Sequence, residues 1–161
     1  SIFRTTQTNI LQVRPELPQA IGRVNYVALG MADLGVFLPL YQGVRSYPKA
    51  YTKGTNHSSH DSAYWKFRKV QALGMVNYNR YAPLIKETYA AFEAEADQRQ
   101  HEMEEQYLAI YKTQPLRAQD LLQAFSDQLL RSALDVTDEL IETLFTRLTE
   151  DIQAEYEFHG A

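Results

Sequence analysis

The segment SIFRTTQTNILQV, residues 1–13, is rich in Thr, Ile, Phe and Val in rough alternation, and that pattern predicts an extended strand. Arg14-Pro15 ends it, because proline restricts its predecessor and has no N–H for a ladder. Working outward, RVNYVALG after Pro18 alternates Val24, Tyr26 and Ala28 with Asn25, Val27 and Leu29, which predicts a second strand. Turn residues follow at 31–35. Val36 to Tyr41 then reads as a third strand, with Pro39 forcing an edge position or a bulge. Three short neighbouring strands predict an antiparallel meander or hairpin.

Gln42 to His60, with Gly43, Pro48, Gly54 and the polar run TNHSSH, reads as a long surface loop. A loop of that length is expected to cover something. Helical character begins at Asp61, with Asp61 or Ser62 as the candidate N-cap. Tyr64, Phe67, Gln71, Met75 and Tyr78 form one stripe and Trp65, Ala72 and Val76 another, so this helix is expected to pack on more than one side. Pro83 either kinks it or opens a second helix, which runs into EAEADQRQHEMEEQ, read as a solvated face. After Pro115, apolar residues at Ala118, Leu122, Phe125, Leu129, Ala133, Val136, Leu140, Leu144 and Leu148 hold one stripe, in one long helix or in two broken near Asp135 to Asp138.

The 161 residues are 45% hydrophobic and 12% aromatic, enough to bury one core. No apolar run approaches the ~18 residues that a membrane span needs. With no cysteine, the chain has no disulfide, thiolate metal site or cysteine nucleophile of its own. Residues 1–92 carry 11 Lys and Arg against 4 Asp and Glu, and residues 93–161 carry 5 against 16, net +7 and −11. Such a basic half suits nucleic acid, an anionic substrate end, or complementary charge within the molecule. No nucleic-acid reading motif accompanies it, so a nucleic-acid partner is not expected.

Three stretches taken together resemble peptidase family C69 dipeptidases in their late region: FRTTQTNILQVRPELP at 3–18, NYVALGMADLGVFLPLYQG at 25–43, and SAYWKFRKVQAL with NYNRYAPLIK between Ser62 and Lys86. The resemblance implies an α+β chain forming part of an N-terminal-nucleophile (αββα) fold, with residues 1–60 completing the hydrolase sandwich and 61–161 its helical end. It further implies a cytoplasmic cysteine dipeptidase that needs no cofactor or metal, whose nucleophile is the mature N-terminal cysteine and whose proton acceptor is that residue's own α-amine. A thiolate and an amine of pKa ~8 suit this chemistry near neutral pH. The cysteine is expected upstream, so no catalytic residue is assigned here and the chain alone is expected to be inactive. Ser1 sits at an interior position of the family pattern and is read as a boundary rather than as a nucleophile.

Within FRTTQTN, Arg4 is the candidate for binding a substrate carboxylate through paired hydrogen bonds. Thr5, Gln7 and Asn9, expected on the opposite side of the same strand, are candidates to donate to a substrate backbone or oxyanion. His57 and His60 have metal-ligand spacing with Asp61 adjacent, but a polar loop without a clear third ligand argues for solvation. Tyr64, Trp65, Tyr78 and Tyr81 are expected in core contacts. The intact protein is expected to act on dipeptides and to form a homo-oligomer. The alternative is a non-catalytic helical module that self-associates through the stripe after residue 115.

Overall fold

The computed structural model describes residues 3–159, so Ser1 lies outside the described residues. The fold is α+β. Its first element, β1 (Gln7–Val13), pairs antiparallel with β2 (Arg23–Leu29), which pairs antiparallel with β3 (Leu38–Tyr41), in spatial order β1-β2-β3. The register sets Asn9 opposite Val27 and Leu11 opposite Asn25, then Asn25 opposite Leu40 and Val27 opposite Leu38. The expected meander is therefore present, with Pro39 on the edge strand. A one-turn helix α1 (Gln19–Gly22) carries the chain from β1 to β2.

Residues 3–6 depart from the strand expected from residue 1. Phe3 and Arg4 form a turn, and only Thr6 extends the ladder, through its carbonyl to the Gly30 N–H at 2.7 Å. The third strand is likewise shorter than expected and starts at Leu38.

Three helices cover one face of the sheet: α2 (Ala63–Val76), α3 (Tyr78–Ile110) and α4 (Pro115–His159). Ser62 is the α2 N-cap residue, although its hydroxyl donates to the Lys53 carbonyl at 2.9 Å instead of accepting from the helix. Burial on α2 falls at Ala63, Phe67, Val70, Gln71 and Gly74, one face only, while Met75 and Val76 are exposed. The expected multi-sided packing is thus corrected for Ala72 and Val76, which face solvent, while Trp65 of the same stripe is half-buried and donates its Nε1 proton to the Thr55 carbonyl at 3.0 Å. The break before α3 is at Asn77, whose side chain accepts from the Arg80 N–H, and Pro83 lies inside α3. Its missing N–H costs one helical bond without ending the element.

The run EAEADQRQHEMEEQ is not uniformly solvated. Phe92, Ala96, Gln100, Met103 and Tyr107 are buried at spacings of four, four, three and four, and Glu104 is buried beside them. Helix α4 is one unbroken helix of 45 residues, about 67 Å long at 1.5 Å per residue. Thr137, within the stretch where a break was expected, is buried and donates back to the Ala133 carbonyl at 2.6 Å. Ala118, Leu122, Phe125, Leu129, Ala133, Leu140 and Leu144 are buried in the shared core, so the stripe proposed for self-association is largely used within the chain. No helix among the described residues is long and apolar enough to cross a membrane.

The charge asymmetry along the chain is partly satisfied internally. Arg14 pairs with Glu104, Arg45 with Asp120, Lys66 with Asp138 and Arg80 with Asp151, each pair joining the basic half to the acidic half. Of these, the Arg14 and Lys66 pairs are the least exposed and tie the sheet and α2 to the two long helices.

Candidate functional site

Strand alternation divides the sheet into two faces. Val24 and Ala28 are buried toward the helices, and the Tyr26 hydroxyl on that side accepts from Gln100 of α3 at 2.9 Å. The opposite face carries Asn25, Val27 and Leu29, with Leu38 and Leu40 on β3 and Gln7 and Asn9 on β1. These side chains line a groove of about 300 Å³ that the helices leave open.

Its remaining wall comes from the connection between β3 and α2. That segment contains a 3₁₀ turn at Lys49–Thr52 and places Tyr47 and Tyr51 against the groove, which is what the long loop covers. Tyr51 is anchored: its hydroxyl donates to the Leu130 carbonyl at 2.7 Å, and its ring meets Phe67 with centroids 6.4 Å apart. Burial pushes the Tyr51 phenol far up and the Tyr47 phenol up, so both remain neutral at physiological pH. The groove is therefore lined by amides, aliphatic side chains and neutral phenols, without a charged residue.

The polar end has one unfinished hydrogen bond. Asn25 Nδ2 donates to Asn9 Oδ1 at 3.2 Å, while Asn25 Oδ1 is shielded from solvent and has no partner among the described residues. A buried acceptor without a donor costs free energy.

Of the four residues singled out in the sequence, the structure brings Gln7 and Asn9 together on the groove. Arg4 and Thr5 precede β1, so strand alternation does not govern them, and neither lines the groove. Arg4 is exposed and has no ion pair among the described residues. The adjacent Phe3 ring lies under the Arg68 guanidinium at 3.8 Å, which docks this turn on α2. Sequence reading missed Asn25, although it sits in the recognised alternation, and it missed Tyr47 and Tyr51, which no periodicity marks.

His57 and His60 occupy the loop before α2. The neighbouring Asp61 carboxylate is engaged by Lys53 and the Ser59 hydroxyl, which hold its pKa down at about 2. Among the described residues no three His, Asp or Glu side chains gather as a metal site. Tyr81 is buried as expected of a core aromatic, whereas Tyr78 is exposed and donates to Asp33 at 2.5 Å.

A second polar cluster lies on the helix side. Arg14 donates to both Glu104 oxygens, at 2.7 and 2.6 Å, and to the Ile21 carbonyl at 2.7 Å, while the Tyr41 hydroxyl donates to Glu104 at 2.5 Å. Burial alone would raise the Glu104 carboxyl, but the Arg14 guanidinium and the Tyr41 hydroxyl outweigh it and hold the group below its ordinary value. With its oxygens occupied by the chain's own donors, this carboxylate fixes the fold and is not free for acid–base work.

The sheet and groove lie within the part of the chain that a family model matches. A model of peptidase family C69 matches residues 1–91, more than half of the sequence, and the chain belongs to that family. A probable dipeptidase of Salmonella dublin is 59% identical over 54 residues, 34% of this chain and 12% of its own length. Probable dipeptidase A of Streptococcus pyogenes serotype M18 is 32% identical over 80 residues, 50% of this chain and 17% of its own. Probable dipeptidase B of Lactococcus lactis subsp. lactis is 22% identical over 158 residues, 98% of this chain and 32% of its own. The chain thus matches a third or less of the length of each of these relatives.

Proposed function

We propose that this chain is the C-terminal portion of a cysteine-type dipeptidase with an N-terminal-nucleophile fold, and that it supplies substrate-binding surface while the nucleophile lies upstream. The observation that carries the reading is the family match over residues 1–91, which takes in the whole sheet and the amides of its open groove. The relatives' names, all of them dipeptidases, support the substrate class. Residues 1–60 complete the hydrolase sandwich and residues 61–161 form its helical end. The free edge of β1, with Leu11 and Val13 among its exposed residues, offers the place where further strands join.

In this reading an upstream cysteine thiolate attacks the dipeptide carbonyl after giving its proton to its own α-amine. The amides of Gln7 and Asn9 donate to the substrate backbone or to the developing oxyanion, with Thr5 nearby and Arg4 holding the free carboxylate. Nothing in the proposed reaction requires a cofactor. The intact protein is cytoplasmic and self-associates.

Two measurements test this. The purified 161-residue chain is expected to show no turnover of any dipeptide, since it contains no cysteine. The longer protein that carries this segment is expected to hydrolyse dipeptides and to lose that activity on thiol alkylation. Turnover by the short chain, or alkylation-insensitive hydrolysis by the long one, contradicts the reading.

A further inference from the structure

Arg4 stands between two fastenings. Before it, the Phe3 ring lies against the Arg68 guanidinium of α2, 3.8 Å from the ring centroid. After it, the Thr6 carbonyl accepts from the Gly30 N–H at 2.7 Å, one residue ahead of the Gln7–Leu29 pair that opens the β1–β2 ladder. Only Arg4 and Thr5 lie between, so the backbone that carries the Arg4 side chain can move little while both fastenings hold.

The Gly30 side is braced several times over. Gln71 accepts from the Met31 N–H at 3.0 Å and donates to the Leu29 carbonyl at 2.9 Å, Asp33 accepts from Lys86 at 2.8 Å, and Glu93 accepts from the Phe37 N–H at 2.7 Å. On the other side α2 reaches the turn through the Phe3–Arg68 contact, where the face of the ring attracts the cation. Arg68 is itself steadied: it is half-buried, and its Nη1 donates at 3.3 Å to Oε1 of Gln71, its neighbour at i+3. Arg68 and Gln71 thus make one patch of α2 that grips both the turn before β1 and the turn after β2.

We propose that Arg68 is a positioning residue for the substrate carboxylate: by holding Phe3 it holds the Arg4 guanidinium where the C-terminal carboxylate of a dipeptide is bound. This role rests on the dipeptidase reading, with Arg4 as the carboxylate ligand, and adds the residue that fixes where Arg4 stands. A guanidinium on a loose turn must be ordered each time it binds, and that lost entropy offsets part of its hydrogen bonding. Arg68 orders the turn beforehand, so its loss weakens binding of the carboxylate without altering the bond-breaking step.

The experiment uses the longer protein with two substrates, Leu-Leu and Leu-Leu amide. Arg68→Ala and Phe3→Leu are each expected to raise KM for Leu-Leu about fivefold with kcat within about twofold, and to leave kcat/KM for the amide nearly unchanged. In an Arg4→Ala background neither should add to the loss, because the group they position is already gone. Arg68→Lys keeps a cation for the Phe3 ring and should recover part of the effect. A merely structural Arg68 would weaken both substrates alike and would still do so beside Arg4→Ala. Should Arg68→Ala fail to fold, Phe3→Leu decides the matter. Unchanged KM for Leu-Leu in the folded variants, equal losses with both substrates, or full additivity with Arg4→Ala would overturn the role of Arg68; a selective loss of Leu-Leu hydrolysis in Arg4→Ala would then still keep Arg4 as the carboxylate ligand. If Arg4→Ala shows no such selectivity, or the longer protein hydrolyses neither substrate, the dipeptidase reading or its Arg4 assignment fails first and the role of Arg68 fails with it.

Discussion

Arg14 and Glu104, 90 residues apart in the chain, meet through two hydrogen bonds of 2.7 and 2.6 Å and fasten the end of β1 to the middle of α3. Their pairing decides the first stability prediction. Glu104→Gln leaves the guanidinium without its counter-ion in a largely buried setting. The expected loss is about 2–3 kcal/mol, at or below the low end for a buried pair because the Arg14 side chain keeps 23% exposure. The carboxyl is held below its ordinary value, so its contribution is fully present above the unfolded-state pKa of ~4.3 and is lost as pH falls through the lower folded value. Urea midpoints should therefore fall more steeply for the unsubstituted chain than for Glu104→Gln below about pH 4.3. Parallel profiles would remove Glu104 as a source of acid sensitivity.

Gly30 and Gln71 make a second coupled pair. Gly30 has φ +78°, and a Cβ there would lie 2.3 Å from Gln71 Oε1. Gln71 cannot yield freely, because its Oε1 accepts from the Met31 N–H at 3.0 Å and its Nε2 donates to the Leu29 carbonyl at 2.9 Å. Gly30→Ala is expected to cost at least about 2 kcal/mol, combining left-handed backbone strain with the overlap. In a Gln71→Ala background the same substitution should cost only the backbone part, although Gln71→Ala itself is destabilising through two stranded backbone groups. Equal costs in both backgrounds, measured by denaturant unfolding, would show that the overlap is relieved elsewhere.

The meander was legible because its alternation is local: Val24, Tyr26 and Ala28 announce one face and Asn25, Val27 and Leu29 the other. The start of β1 was not, since Phe3, Thr5 and Thr6 have strand propensity but find a partner only at Gly30. The buried side of α3 was obscured by Gln100 and Glu104, polar residues whose burial is made tolerable by Tyr26 and Arg14 from far earlier in the chain. Periodicity within a window cannot see such partners. The same limit applies to the groove. Gln7 and Asn9 followed from strand composition, whereas Tyr47 reaches the site through a loop held by α4, a relation between residues more than 70 positions apart.

An edge strand with exposed apolar residues also predicts association. Ile10, Leu11 and Val13 are 53%, 75% and 66% exposed, and no proline or lysine interrupts β1. The 161-residue chain is expected to show concentration-dependent sedimentation, and Leu11→Lys, which places a charge on the strand, should reduce it markedly. A strictly monomeric species at high concentration would count against the edge as the contact.

The last prediction concerns Arg4 in the longer protein to which the proposed reading assigns the cysteine. A dipeptidase must hold a free carboxylate one residue beyond the scissile bond, and a guanidinium does so through two parallel hydrogen bonds. Arg4 stands in an exposed turn, with Phe3 docked beneath Arg68, so the turn is anchored while the Arg4 side chain remains accessible. Charge-assisted bonds are worth ~1.5–3 kcal/mol each, so losing even one should be visible in kinetics. Arg4→Ala is expected to lower kcat/KM for dipeptides roughly 10-fold or more while leaving alkylation of the cysteine by a small neutral reagent nearly unchanged. Arg4→Lys should recover only part, because an ammonium cannot form the planar fork. A dipeptide whose C-terminal carboxylate is amidated should lose rate with the unsubstituted protein yet be insensitive to Arg4→Ala, since the group Arg4 holds is already gone. Unchanged kcat/KM in Arg4→Ala, or an equal loss for the free and amidated substrates, would show that this turn is structural and that the carboxylate is held elsewhere.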